Sequence, residues 1–253
     1  MDRSRNKISY RNPKVFNLPF EQPEKRPTRA WKPVLILVLI GGLYYFIFQS
    51  PFFRIKNIII DQTLPPAVSE YMAKYKGENI FTLRSSEIRD ELLAKYPELT
   101  NINVIRGIPD SIKVTCDERT PKLVWMSSGL MYLLDESGVA YKEIQDPGGL
   151  IEVKDNNNLP VKENQPVVSE NFINFVNDLK PKLRGKGFEI VHFEVNETTF
   201  QVDAVMVSNL ILKFDITRSA DSQVSDLTKF WENHSGEARN YVDLRVEGKV
   251  FYK

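Results

Sequence analysis

The sequence predicts an α+β protein: a single membrane-spanning helix, then a β-α-α-β-β unit, then a mostly antiparallel β region with flanking helices. Three observations predict it. No charged residue lies between Lys32 and Arg54. Strand-like and helix-like apolar runs succeed one another in the order β-α-α-β-β across residues 54–120. Beyond Pro121, short apolar runs alternate with polar residues at a period of two, as in antiparallel strands with one wet face.

The anchor is assigned to residues 33–53, with Val34 to Phe53 as its uncharged run. At about 1.5 Å of rise per residue the run makes a helix of roughly 30 Å, the thickness of a bilayer's hydrocarbon core. A buried core helix is the weaker reading, because few soluble domains bury a helix that is apolar on every side. Residues 1–32 carry nine Lys and Arg against three acids, leaving 25 of the 34 basic and 30 of the 33 acidic residues beyond them. The positive-inside bias therefore predicts a cytoplasmic N-terminus. Trp31, Tyr44, Tyr45, Phe52 and Phe53 stand near the two ends, where aromatic rings favour the interface. A cleaved signal peptide is the alternative, but its apolar core is normally shorter, and Gln49-Ser50-Pro51 is a poor cleavage site. Residues 1–32 themselves are basic, Pro-marked and aperiodic, which predicts a disordered cytoplasmic tail. Lys25 to Lys32 would favour anionic lipid.

The net charge is +1, which argues against nucleic acid as the main partner. Cys116 is the only cysteine, so no internal disulfide exists and core burial must hold the outer part.

Arg54 to Ile60 is Ile-rich and strand-like. Pro65-Pro66 opens a helix whose apolar face is Val68, Tyr71, Met72 and Tyr75, stopped by Gly77. A second helix starts near Ser86 as N-cap, carries Ile88, Leu92 and Tyr96, and ends at Pro97. Ile102 and Val104, then Ile112, Val114 and Cys116, mark two strands joined through Gly107-Ile108-Pro109-Asp110.

This order, just outside one anchor, resembles a POTRA domain. The words Lys76-Gly77-Glu78-Asn79-Ile80-Phe81-Thr82-Leu83, Tyr96-Pro97, Val104 to Asp110, and Glu118-Arg119-Thr120-Pro121 before Trp125 are similar to those of the bacterial cell-division family FtsQ/DivIB. On that division, residues 54–120 form the POTRA domain and 121–253 the β domain.

In the latter, Leu123–Trp125 and Met131–Leu134 read as strands about a Ser127-Ser128-Gly129 turn. Asp135-Glu136-Ser137-Gly138-Val139 resembles the family's "ID-x-x-G-x-V" hairpin. Residues 145–165, with Gly148-Gly149 and Asn156-Asn157-Asn158, read mainly as loop. Phe172, Phe175, Val176, Leu179 and Leu183 mark a helix from Ser169 to Gly185. Strands follow at 189–195, 200–207 and 210–217, then a helix with Val224, Leu227 and Trp231 on one face. Tyr241 to Val246, a Glu247-Gly248 turn and Val250 to Lys253 close the chain; Val242-Asp243-Leu244-Arg245 resembles the family's terminal "VDLR" strand. Departures are Asp61-Gln62, where relatives often have Gly, Val246, where they often have an aromatic residue, and the absence of a tail beyond Lys253.

Catalytic signatures are absent, so no enzyme is predicted, and no cofactor, metal or small-molecule substrate with it. His192 and His234 are the only histidines. His192 alternates with Val191 and Phe193 and is expected at the exposed surface. Gly185-Lys186-Gly187 lacks the phosphate-loop frame, and Ser127-Ser128-Gly129 lacks a nucleophile elbow. Cys116 reads as a small core residue. Asn196-Glu197-Thr198 and Asn233-His234-Ser235 are chance matches to a glycosylation pattern.

The resemblance implies a non-enzymatic bitopic scaffold of the divisome. It would bind FtsB/DivIC and FtsL and other division proteins outside the membrane, and help regulate septal peptidoglycan synthesis at the division septum. The alternatives are a POTRA-bearing transport or chaperone component, which wants further POTRA repeats or a barrel, and an anchored wall enzyme, which wants a catalytic constellation. The expected partner site is the last hairpin: Val246, Gly248, Val250, Phe251 and Tyr252. Its final strand is expected to have an open edge guarded only by Lys249 and Lys253, a setting for strand addition. Phe251 and Tyr252 lie on opposite faces, so one of them is expected to finish the core instead.

Overall fold

The computed structural model describes residues 14–18, 31–61 and 65–253. Most of the predicted tail of residues 1–32, and Gln62, lie outside the described residues.

Helix α1 runs Trp31–Gln49, 19 residues with none buried. It is the one helix among the described residues long and apolar enough to cross a membrane. It stops four residues short of the expected Phe53. Pro51 cannot continue the amide ladder, and Ser50 instead caps a short 3-10 turn over Pro51–Phe53 by accepting from the Phe52 N–H.

The first folded layer follows the predicted order: β1 (Asn57–Ile60), α2 (Pro66–Met72), α3 (Ser85–Lys95), β2 (Leu99–Gly107) and β3 (Ser111–Glu118). Strand β3 lies in the middle, parallel to β1 and antiparallel to β2. Val68, Met72, Tyr75, Ile88 and Leu92 from the helices close on Ile102, Ile112, Val114 and Cys116 from the strands. Ser86 is not the cap of α3. Arg84 takes that place without a side-chain cap and bonds Glu87 at 2.6 Å instead.

Cys116 sits in this core, and burial first, then the charges of Asp117 and Asp61, pushes its thiol pKa up. Cys116→Ser is therefore expected to cost about 1–3 kcal/mol by burying a hydroxyl, whereas Cys116→Ala leaves folding intact. Urea unfolding of the two variants decides between them. A Cys116→Ala protein as destabilised as Cys116→Ser would reject the reading of Cys116 as a small apolar core residue.

The second layer is a ten-stranded sheet. Its strands are β4 (Leu123–Ser127), β5 (Leu130–Leu134), β6 (Val139–Ile144), β7 (Ile151–Asp155), β8 (Gln165–Pro166), β9 (Ile190–Val195), β10 (Gln201–Met206), β11 (Ile211–Asp215), β12 (Tyr241–Asp243) and β13 (Phe251–Tyr252). The spatial order is β13-β12-β11-β10-β9-β7-β4-β5-β6-β8. Three pairings are parallel, β4 with β7, β7 with β9 and β11 with β12; the rest are antiparallel. Helices α4 (Glu170–Gly185) and α5 (Ala220–His234) share one core with Trp125, Phe193 and Phe214 of the sheet. Ser169 caps α4 as expected, accepting from the Phe172 N–H at 3.2 Å.

Two readings need qualifying. Residues 145–165 are mainly loop as expected, but β7 lies within them, unexpected, as an interior strand with Val153 buried. Its two partners come from distant parts of the chain, which no local pattern reveals. His192 is not at the exposed surface. It is half-buried, its Nε2 3.0 Å from Glu194 two residues on along the same face.

Arg119 links the two layers. Its guanidinium is paired with Asp135, each side chain only 8% exposed. Its Nε donates to the carbonyls of Pro97 at 3.1 Å and Leu99 at 3.3 Å. Asp135 meanwhile accepts from the N–H groups of Ser137 and Val139, closing the turn between β5 and β6.

Candidate partner-binding edge

The site grows from the crossover β11-α5-β12. After β11 the chain makes α5 and returns parallel to β11, so β12 lies at the flank of the sheet and β13 folds back outside it. Val242 and Leu244 enter the core and fix this ribbon in register. Strand β13 is an edge: among the described residues, none pairs with its outer side.

The edge is shorter than expected. Only Val242 with Tyr252 and Asp243 with Phe251 are paired in the ladder, not 241–246 with 250–253. Arg245 breaks the strand by turning its side chain back. It donates from Nε and Nη2 to the Asp243 carboxylate at 2.9 and 2.6 Å, and from Nη1 to Gln201 at 2.5 Å. Gly248, at a φ of +67°, then allows the reversal.

Main-chain directions follow from two bonds. Lys253 N–H donates to the Tyr241 carbonyl at 3.1 Å, and Tyr241 N–H donates back to the Lys253 carbonyl at 3.4 Å. Tyr241 and Lys253 are thus a hydrogen-bonded pair. The next pair, Val242 with Tyr252, is of the non-bonded kind, so the N–H and C=O of Tyr252 point to the open side.

Phe251 is 49% and Tyr252 41% exposed, so neither finishes the core as expected; Val250 does, packed half-buried against it. Tyr252 lies on the helix side. Its ring is 4.9 Å from Phe230 and 6.1 Å from His234, and its hydroxyl donates to Glu237 at 2.7 Å. That bond first, then His234, holds the Glu237 carboxyl below its ordinary range. Phe251 lies on the other face, at the end of a cross-strand row of Glu194, Asp203, Lys213 and Asp243. Burial works to raise Asp243, but the hydrogen bonds and charge of Arg245 prevail and keep it low. Asp203 is pushed up, chiefly by burial.

Of the five expected residues, the structure brings Val250, Phe251 and Tyr252 together. Val246, 46% exposed, and Gly248 lie in the loop joining the strands instead. Phe230, His234 and Glu237 were missed. The signal for Phe230 was present, three residues after Leu227 in the helical period. Phe230 takes the buried position, while Trp231 sits half-buried against Phe188 at 5.2 Å.

These features define a class: an anchored POTRA unit followed by a β region with an open sheet edge, carrying no candidate metal group among the described residues. No family model matches the chain. Cell division protein FtsQ of Streptomyces collinus is 27% identical over 120 residues, 46% of this chain and 46% of that protein. FtsQ of Rickettsia felis is 29% identical over 89 residues, 34% of this chain and 33% of the relative. FtsQ of Syntrophotalea carbinolica is 28% identical over 102 residues, 39% and 36%. The matched stretch spans less than half the length of each of these relatives. Part of the chain is thus similar to FtsQ proteins of diverse bacteria.

Proposed function

We propose that the chain is a non-enzymatic scaffold of the bacterial division complex, held in the membrane by α1 with its N-terminus in the cytoplasm. Residues 54–120 act as its POTRA domain and 121–253 as its β domain outside the membrane. The β domain receives an FtsB/DivIC-type bitopic coiled-coil protein, together with FtsL, and so helps regulate septal wall synthesis. The name of the relatives supports the division role. The observation that carries the partner reading is the open side of β13, with outward main-chain groups at Tyr252 and exposed rings on both faces. Main-chain bonds would give the affinity of an added strand, and pockets beside Phe251 and Tyr252 its specificity.

The test compares Tyr252→Pro with Tyr252→Ala. Proline deletes an outward donor that β12 does not use, and edge strands tolerate it. Capture of FtsB by the proline variant is expected to fall about tenfold below that by the alanine variant, the scale of one lost hydrogen bond. Truncation after Gly248 is expected to abolish capture. Normal affinity in the truncated protein would reject the edge.

A further inference from the structure

We infer that the rim of residues 48–253 nearest the anchor lies in the headgroup layer of the membrane, through Phe52, Phe81 and Ile108. The inference rests on the reading of α1 as the membrane anchor. These side chains come from three separate segments and are 52%, 38% and 68% exposed. A folded domain has no need of three large apolar groups in water at one end.

The chain itself gathers them there. Phe52 follows the end of α1 by three residues. The Asn79–Phe81 loop is fastened to this same segment. Ile80 N–H donates to the Phe53 carbonyl at 2.9 Å, Ile55 N–H to the Glu78 carbonyl at 2.9 Å, and Gly77 N–H to the Ile55 carbonyl at 2.9 Å. The Phe53 and Phe81 rings meet edge to face at 5.1 Å. Ile108 is brought in by the β2–β3 hairpin. The Asp110 carbonyl accepts from the N–H groups of Lys56 and Asn57 at 2.9 and 3.2 Å, and its carboxylate pairs with the Lys56 ammonium at 3.3 Å. Every fastening point lies within eight residues of the end of α1, so the rim is tied to the bilayer by covalent continuity.

The charges nearby suit anionic lipid. With Lys56 and Asp110 paired to each other, Arg54 and Lys76 remain exposed on these segments against Glu78. Aromatic rings and basic side chains together are the composition that headgroup layers favour. A protein partner on this rim would have to share it with the lipid surface from which the chain has just emerged.

The single cysteine makes a direct test available. In a Cys116→Ala background, nitroxide labels are placed on the full chain at Phe52→Cys, Phe81→Cys or Ile108→Cys. Ile40→Cys in α1 and Ser208→Cys in an exposed turn serve as references. The proteins are reconstituted in vesicles of phosphatidylethanolamine and phosphatidylglycerol, and collisions with oxygen and with a water-soluble nickel chelate are compared. The labels at residues 52, 81 and 108 are expected to favour oxygen, as the label at residue 40 does, while that at 208 favours nickel. If residue 40 lies in lipid while 81 and 108 match 208, the rim is not in the membrane and the proposal fails alone. If residue 40 itself matches 208, the anchor reading fails and takes the proposal with it.

Discussion

Arg119→Ala is expected to destabilise residues 48–253 by about 3–5 kcal/mol, the cost of removing one partner of a buried ion pair. The loss is large because three acceptors are stranded together: the Asp135 carboxylate and the carbonyls of Pro97 and Leu99. Urea unfolding of the detergent-solubilised chain measures it. Asp135→Ala alone should be costly too, since it also frees the N–H groups of Ser137 and Val139. The double variant should cost clearly less than the two singles together, because each leaves the other unpaired. A change below about 1 kcal/mol for Arg119→Ala would mean that this contact is wet and unimportant.

Gly138→Ala is expected to cost about 2–5 kcal/mol, from two sources. The backbone there has a φ of +76°, which side-chain-bearing residues adopt at a cost of about 1–3 kcal/mol. A Cβ would also stand 2.1 Å from the carbonyl oxygen of Val168, a backbone atom held in place by the bonds that Val167 and Val168 make to the Gly138 carbonyl. Gly129→Ala separates the two sources. Its φ of +80° is equally positive, but nothing lies within 4 Å of the added carbon. Gly138→Ala should therefore lose more stability than Gly129→Ala in thermal or urea unfolding. Equal losses would show that Val168 moves aside freely.

Much of this architecture is written locally. The uncharged run of α1, the Ser169 cap of α4, and the alternation Ile112, Val114, Cys116 are each decided within a few residues. Three of the misses, the strand β7, the buried Arg119–Asp135 pair and the length of β13, share one physical cause, dependence on partners far along the chain. Ile151-Glu152-Val153-Lys154-Asp155 is a short alternation between glycines and asparagines, and becomes an interior strand only because β4 and β9 flank it. Glu118-Arg119 and Asp135-Glu136 each set two charged residues side by side, and nothing local tells that Arg119 and Asp135 are buried against each other. At the edge, the position of β13 was legible but its length was not. The Asp243–Arg245–Gln201 clamp that shortens it joins residues from β10 and β12. Likewise, the exposure of Phe251 and Tyr252 depends on Val250 having already filled the space beneath.

The shortness of the β12–β13 ribbon has a dynamic consequence. Strand β13 hangs on two ladder pairs and the Tyr241–Lys253 bonds, while β12 behind it is paired to β11 and held by the buried Val242 and Leu244. Local opening of β13 is therefore expected to cost far less than unfolding the sheet behind it. On the proposed reading, a strand added to its outer side would bind only the closed form and so hold β13 closed by mass action. Part of the binding energy is then spent on ordering the receiver. Occupancy of the edge would be felt as slower exchange of the Tyr241 and Lys253 amides, which bond across this pair, a signal carried by rigidity without any change of shape.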